Sequence, residues 1–552
     1  MTDDESMCEI LNQFFSSVFT EEDTENLPQP VNLFEGQDNL TTVDFPEDKV
    51  KEKLGKLNPS SAPGPDGLWP RVLHSLRDVL AIPLALIYAK CLSEGVVPDD
   101  WRRAHVVPIY KKGGKGNPGH YRPVSLTSVL CKVMESILCD ALVNHLSVHS
   151  LIKDSQHGFM KGRSCLTNLL EYLEVLTKLV DEGHCLDIVY LDFAKAFDKV
   201  PHRRLAEKCK AHGINGDVLS WISAWLSNRS QRVVLNGKMS TWMDVLSGVP
   251  QGSVLGPILF LIYINDIDDA IDVTTSVIKK FADDTKVVRI VESEEDRMAF
   301  QAGLSNLEQW SADWQMLFNV SKCHILHIGS KNLGFKYSMD GNELVEATEE
   351  KDVGVMITTN LKPSTQCAKA AKKANQVLGQ LARAVTYRNR TFLNLFLSHV
   401  RPHLEYSVQS WSPWTAQDKL VLERVQMRAV RMVSGLKGQT YEEKLKELGM
   451  ISLEARRERG DLIEVYKILT GKERVDPSVW FTMAGDNRLG MGTREAAGFL
   501  NLKKPEVSKN LDIRSNFFSV RVVDPWNKLP DSVKQAETVN TFKNCYDKFM
   551  EA

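Results

Sequence analysis

The sequence predicts an α+β protein, and three observations carry that prediction. Between about residues 70 and 340, short helical and strand patterns alternate without the regular order of a doubly wound parallel sheet, which favours an antiparallel one. From about 361 to 470 the pattern changes to long helices, and residues 361–440 carry 13 basic against 3 acidic side chains. The chain, at 552 residues and 43% hydrophobic, is long enough for three or four cores at roughly 150 residues each.

Composition removes several classes of protein. The 10 cysteines are scattered, with no C-x-x-C pair of the kind a zinc module uses. The chain opens on Met1-Thr2-Asp3-Asp4-Glu5 rather than on a basic, then apolar, leader, so a nuclear or cytoplasmic protein with reduced thiols is expected, not a secreted one. The longest apolar runs, 79–89 and 258–264, fall short of the ~20 residues that span a bilayer, and no membrane partner is expected. The first 50 residues hold 13 acidic side chains and one basic one, leaving a mildly basic remainder of 67 against 58.

Taken in chain order, residues 8–19 place Ile10, Leu11, Phe14, Phe15 and Val18 at helical spacing, and a polar, Pro-containing connector follows. Residues 1–48 therefore read as an acidic linker or the remnant of an upstream region. A short helix over 46–57, opened by Pro46 with Glu47 and Asp48 in its first turn, leads into a loop over 58–67 punctuated by Pro and Gly.

A helix over 166–182, closed by Gly183, precedes the β-forming run 185–193, which predicts a buried strand with Asp192 near its C-terminal end. A second strand pattern, 275–281, is followed by Ala282-Asp283-Asp284 and then by 285–290, a hairpin with adjacent acids at its tip. Consecutive strand side chains point to opposite faces, so Asp283 and Asp284 are expected to do different work. Alone, the Asp pair is a turn signal and Asp192 a helix cap. Together, two strand-end acid sites on one sheet would repel unless they bound divalent metal, and a two-metal site of this kind clamps the oxygens of a phosphoryl displacement. Helices are then predicted over 367–385, 391–400, 416–434 and 452–469, with weaker signals at 501–516 and 541–549 and no internal repeat.

Three strings taken together go further: Leu191-Asp192-Phe-Ala-Lys-Ala-Phe197-Asp198-Lys-Val-Pro201-His202, then Gly248-Val-Pro250-Gln251-Gly252-Ser253, then Phe281-Ala-Asp283-Asp284. In this order and spacing they resemble the polymerase motifs of reverse transcriptases, in particular those of non-LTR (LINE) retrotransposons of the jockey-like type. The resemblance runs from about Lys51 to beyond Gly354.

It implies a right-hand polymerase with an antiparallel-sheet palm, fingers, a helical thumb and a small C-terminal module. Fingers and palm would occupy 49–345, primer grip and thumb 346–470, and a module of unknown role 471–552. It also implies an RNA-directed DNA polymerase using Mg²⁺, with Mn²⁺ as the alternative. Its partners would be an RNA template, a DNA primer and deoxynucleoside triphosphates; oligomeric state is left open.

Residue by residue, the resemblance assigns both metals to Asp192 and Asp283, with Asp284 as the neighbouring acid of the catalytic set. Phe197 becomes the candidate steric gate against a ribose 2′-hydroxyl, the alternative being a core aromatic beside Phe193. Gln251 lies where the family places a glutamine near the incoming nucleotide. Arg122 is the first candidate for the triphosphate, with Lys111 or Lys112 second, since a guanidinium forks onto two phosphate oxygens and an ammonium acts as a point charge. Asp198 and His202 match the family string, but a helix start or ion pair is their expected role. The block Gln156-His157-Gly158-Phe159-Met-Lys161-Gly162-Arg163-Ser164 is expected along template or nucleotide. Lys322 is a candidate proton donor to pyrophosphate, although a surface salt bridge would look identical, and Val353-Gly354 resembles the primer-grip turn. The basic helices after 361 suit a thumb on the nucleic-acid backbone.

Some features depart from the family. Full-length elements carry an endonuclease domain before the polymerase, and none is expected in this chain; Phe281 stands where Tyr is commoner; no RNase H acid cluster is evident near the C-terminus. A second reading is a catalytically inactive nucleic-acid-binding remnant of a retrotransposon. A telomerase or intron-maturase relative shares the chemistry but is less like these strings.

Overall fold

The computed structural model describes residues 3–484, 501–508 and 512–551. The expected C-terminal module therefore includes residues 485–500, 509–511 and 552, which lie outside the described part.

The strand Leu186–Leu191 is buried along its whole length, because both its faces are covered. Leu186, Ile188 and Tyr190 point into one hydrophobic core, and Val189 and Leu191 into another. That is why this segment reads as an apolar run rather than as an alternation. It lies in the middle of a five-stranded sheet of order Val345–Glu346, His324–Ile328, Leu186–Leu191, Asp284–Ile290, Ser276–Phe281. Every pairing is antiparallel except that of Val345–Glu346 with His324–Ile328. The α+β expectation and the mainly antiparallel sheet both hold.

A second sheet pairs Arg103–Tyr110 antiparallel with Tyr121–Leu126 and parallel with Arg229–Leu235. The core beneath Val189 and Leu191 joins the central sheet to the helices Val129–Val148, Gly216–Leu226 and Gly256–Tyr263, with Trp221, Trp225 and Phe260 fully buried. The basic loop 111–120 closes the first hairpin, with the Lys111 amide donating to the His120 carbonyl.

Residues 3–48, expected as a linker or remnant, dock on the molecule. Helix Asp4–Ser16 buries Cys8, Leu11 and Phe15 against Val106 and Val233, and Glu22 accepts from the backbone amides of Arg203 and Arg204. The amphipathic spacing seen in the sequence is thus satisfied by the back of the second sheet.

The expected long helices form as Ser364–Ala384, Ala416–Arg431 and Leu453–Leu469, while 391–400 begins as Arg390–Leu395 and widens into a π-type turn over Phe396–Val400. They share the core beneath Leu186, Ile188 and Tyr190 with helix Cys165–Asp181. Residues 512–551 fasten both layers. Arg514 pairs with buried Glu174 on that helix, and Arg521 pairs bidentately with Asp461 on Leu453–Leu469. Among the described residues no helix is long and apolar enough to cross a membrane.

Candidate active site

The antiparallel register places Leu191 opposite Thr285, so the next residue of one strand, Asp192, comes alongside Asp284 and the turn at Ala282-Asp283. Two acidic positions some 90 residues apart in sequence meet in this way at one end of the sheet. The hairpin closes through two residues, since Phe281 pairs with Asp284, and its first turn residue, Ala282, adopts a left-handed φ of 55°. Desolvation and the nearby charge of Asp192 push the Asp283 carboxyl above its ordinary range, while Arg122 and Lys111 pull it down. Asp284 is raised to about 6 by desolvation, then by Asp283, Asp352 and Asp192.

Asp192 is held from three sides. Its carbonyl accepts from the Asn319 amide at 2.7 Å, Phe193 stacks on Phe318 at 4.6 Å, and the Lys322 ammonium lies 2.7 Å from its Oδ2. Lys111 and Arg122, on the loop and second strand of the first hairpin, are exposed, and Lys111 feels the charges of Arg122, Lys112, Lys322 and Asp192. Lys112 is exposed beside them. The site is therefore a patch of carboxylates faced by several cations, the arrangement that accommodates a hard cation and a polyphosphate together. Among the described residues no group of three or more His, Cys, Asp or Glu side chains could hold a metal alone. Asp192 and Asp283 still fit Mg²⁺, which takes one or two carboxylates and completes its shell with water and substrate phosphate.

Phe197 is half-buried, stacked on Phe260 at 4.4 Å and edge-on to Phe159; it does not join Phe193, whose partner is Phe318. Gln251 sits in the loop before helix Gly256–Tyr263. Its amide donates to Asp198 at 2.9 Å, and its carbonyl accepts from Ser125 of the second sheet at 2.7 Å. Asp198, expected as a helix start or ion pair, is thus the anchor of Gln251, and burial raises its carboxyl to about 6. His202 bonds the Gly248 carbonyl at the start of the same loop.

Within the block 156–164, Gln156, His157 and Gly158 are buried against the acidic hairpin, while Phe159 is exposed. Gln156 Oε1 accepts from the Ala282 amide, the His157 amide donates to the Lys280 carbonyl, and a Cβ on Gly158 would come within 2.3 Å of the Ala282 nitrogen. Arg163 binds Asp154, leaving Lys161 exposed. The apolar neighbours of the hairpin leave its turn amides without partners, and these residues supply them.

Residues 349–358 form the hairpin Glu349–Asp352 with Val355–Thr358, turning through Val353 (φ 43°) and Gly354 (φ 92°). The Tyr406 hydroxyl donates to the Val353 carbonyl at 2.9 Å. Beneath the turn, Asp352 pairs with Lys286 of the acidic hairpin, both buried, and Lys286 also donates to Asn168. Between the two hairpins runs a groove of about 140 Å³ lined by Asp192, Asp284, Lys322, Lys351 and Val353. The Gln156 clamp and the Lys286–Asp352 pair had no signal in the sequence beyond residue type.

Residues 109–353, which carry all of these elements, match the family model described as reverse transcriptase (RNA-dependent DNA polymerase). This segment is a reverse transcriptase domain. The chain is similar to the RNA-directed DNA polymerase from mobile element jockey of Drosophila melanogaster, 26% identical over 403 residues, covering 70% of this chain and 44% of the relative. It is also similar to the probable RNA-directed DNA polymerases from transposon BS (24% identity, 76% of this chain, 48% of the relative) and transposon X-element (23%, 72% and 45%) of the same organism. The chain spans about half the length of the curated relatives it matches.

Proposed function

We propose that this reverse transcriptase is the RNA-directed DNA polymerase of a mobile element, adding deoxynucleotides to a DNA primer on an RNA template. The observation that carries the reading is the convergence of Asp192 and Asp283 at one sheet end, facing Lys111, Arg122 and Lys322.

In this reading the central sheet is the palm, the Arg103–Tyr110 and Tyr121–Leu126 hairpin belongs to the fingers within 49–345, and 346–470 comprise primer grip and thumb. The reaction joins the primer 3′-hydroxyl oxygen to the α-phosphorus of a deoxynucleoside triphosphate and releases pyrophosphate. Asp192 and Asp283 would hold Mg²⁺, which supplies charge neutralisation at the phosphoryl oxygens and lowers the pKa of a bound hydroxyl. Arg122 forks onto the triphosphate and Lys111 adds a point charge, with Lys112 beside it. Lys322, already at a carboxylate of the site, is positioned to give its proton to the departing pyrophosphate. Phe197, braced by Phe260, excludes the 2′-hydroxyl of a ribonucleotide, and Gln251, fixed by Asp198, borders the nascent base pair. The Val353-Gly354 turn lies across the groove from Asp192, where a primer end would rest.

The test is extension of a DNA primer on an RNA template with Mg²⁺ and deoxynucleotides, beside Asp192→Ala. Product from the parent alone supports the polymerase. If neither protein makes product while both bind template, the inactive-remnant reading replaces it.

A further inference from the structure

The second sheet has two unlike faces. One, through Val106 and Val233, is covered by the helix Asp4–Ser16. On the other, the register aligns His105 with Leu126, Val107 with Val124 and Ile109 with Arg122, and places Arg232 beside His105. Ile109 on this face is 49% exposed. The uncovered face thus starts at Arg122, next to the carboxylates, and runs along the strand to Arg103, about 20 Å away at about 3.3 Å per residue.

At that far end stands a built cluster. The indole of Trp242 lies under two guanidiniums, with Cζ of Arg232 at 4.5 Å and of Arg103 at 5.6 Å from the ring centroid. The imidazole of His105 stacks on the same indole at 6.0 Å with a 28° tilt. Arg232 donates to His105 Nε2 from Nε at 3.0 Å and from Nη2 at 2.9 Å, so that nitrogen accepts and the imidazole is neutral. Among the described residues neither guanidinium has a carboxylate within ion-pairing distance, and the acid whose charge reaches the cluster is Asp66, through His105. Two like charges are held together on an aromatic platform with most of their donors unused.

We infer that Arg103 and Arg232, carried on Trp242, form a seat for the phosphodiester backbone of the unpaired template strand before it reaches the carboxylates. The chemistry fits: a guanidinium forks onto two phosphate oxygens, and an anion relieves the repulsion between the pair. Placement selects the template's unpaired extension over the duplex, because the seat continues the uncovered face that begins at Arg122. The inference rests on the polymerase reading for the direction of the strand, but not for the presence of an anion seat.

The experiment measures affinity, as a function of salt, for two RNA–DNA template–primers, one blunt and one with a short unpaired 5′ extension of the RNA. The full chain is compared with Arg103→Gln/Arg232→Gln, with the milder Trp242→Phe, which keeps a ring, and with free single-stranded RNA as competitor. The parent is expected to prefer the extended substrate. The double variant should lose that preference about tenfold, with blunt-end affinity unchanged and a slope of log K on log salt shallower by about 1–2, as for loss of two single-strand phosphate contacts at about 0.7 each. Trp242→Phe should fall between. Equal binding of both substrates by parent and variant, or an equal loss on both, overturns the inference. Competition by free RNA with no preference for the extension in cis also overturns it, by assigning the seat to a separate strand. Should the parent fail to extend any primer yet keep the variant-sensitive preference, the polymerase reading falls while the seat stands.

Discussion

The side-chain oxygen of Gln156 accepts a hydrogen bond from the backbone amide of Ala282 at 2.9 Å, and with it holds the turn that presents Asp283. The same oxygen accepts from the Gly158 amide at 2.8 Å, and the Gly158 backbone packs directly against that turn. Ala282 carries a left-handed φ, a conformation that costs energy for any residue with a Cβ, so the turn depends on its surroundings to persist. The expected consequence is that Gln156→Leu leaves two buried amides without acceptors, at about 1–3 kcal/mol each, and lowers the extension rate more than template affinity. Chemical denaturation together with primer extension checks it. A stability loss with an unchanged rate would mean that the clamp does not position Asp283.

Gly158→Ala is the steric counterpart. A methyl group 2.3 Å from the Ala282 nitrogen cannot be accommodated without moving the hairpin tip. Extension should drop by at least tenfold while salt-dependent RNA binding stays near that of the parent. Gly303→Ala, at an open helical position on Glu294–Asp313, is the control and should be neutral or slightly stabilising.

Removing a metal-site carboxylate should affect chemistry selectively. Asp283→Ala forfeits several kcal/mol of charge stabilisation, which at 1.4 kcal/mol per factor of ten is about a thousandfold or more in rate. Template binding, carried mainly by basic surfaces, should change little. Single-turnover extension and filter binding on the same preparation separate the two, and unchanged extension would remove Asp283 from the site.

Burial holds Asp198 near 6, above the ordinary carboxyl range, so its protonated form is favoured by folding. A group raised in this way adds stability below its unfolded pKa near 3.8 and progressively loses that contribution as pH rises towards 6. Asp198→Asn removes the charge and keeps an acceptor for Gln251. It should therefore raise stability at pH 7–8 by about 2–3 kcal/mol and flatten the dependence between pH 4 and 6. Melting temperatures of parent and variant across that window decide it; a destabilised variant at pH 8 would show that the charge is compensated in the fold.

Lys286 and Asp352 join the acidic hairpin to the Val353-Gly354 hairpin. Lys286→Met should cost about 3–5 kcal/mol by leaving Asp352 buried and unpaired, and Lys286→Met with Asp352→Leu should recover much of that stability. If the pair sets the width of the groove between Asp192 and Val353, the stable double variant will still show weakened primer binding. Titration of primer at fixed template measures it.

The contrast between elements explains how much was legible in the sequence. The strand Leu186–Leu191, the hairpin at Asp283 and the long helices after 361 were readable because each is encoded by a local apolar period and a turn. Asp192, Asp283, Gln251 and Arg122 were assigned from strings of residues, and the geometry brings the two acids and Arg122 within one another's electrostatic reach. The N-terminal helix was seen as amphipathic, but its seat was not, because the surface that completes it, Val106 and Val233, lies about 100 and 220 residues further on. The internal contacts of the block Gln156-His157-Gly158 were hidden for the same reason. Its composition is polar, and only contact with the hairpin reveals that its hydrogen bonds are used internally.

By itself, then, the sequence determined the chemistry available to this reverse transcriptase: which carboxylates sit at strand ends, which cations flank them and which helices carry positive charge. Local periodicity and turn residues suffice for that, since they act over a few residues. Tertiary structure alone decided which groups meet, from Asp192 beside Asp283 to Asp198 under Gln251, Lys286 against Asp352 and Arg103 with Arg232 on one indole. These pairings depend on sheet register and on packing between segments tens to hundreds of residues apart, where a shift of one residue would send each side chain to the opposite face.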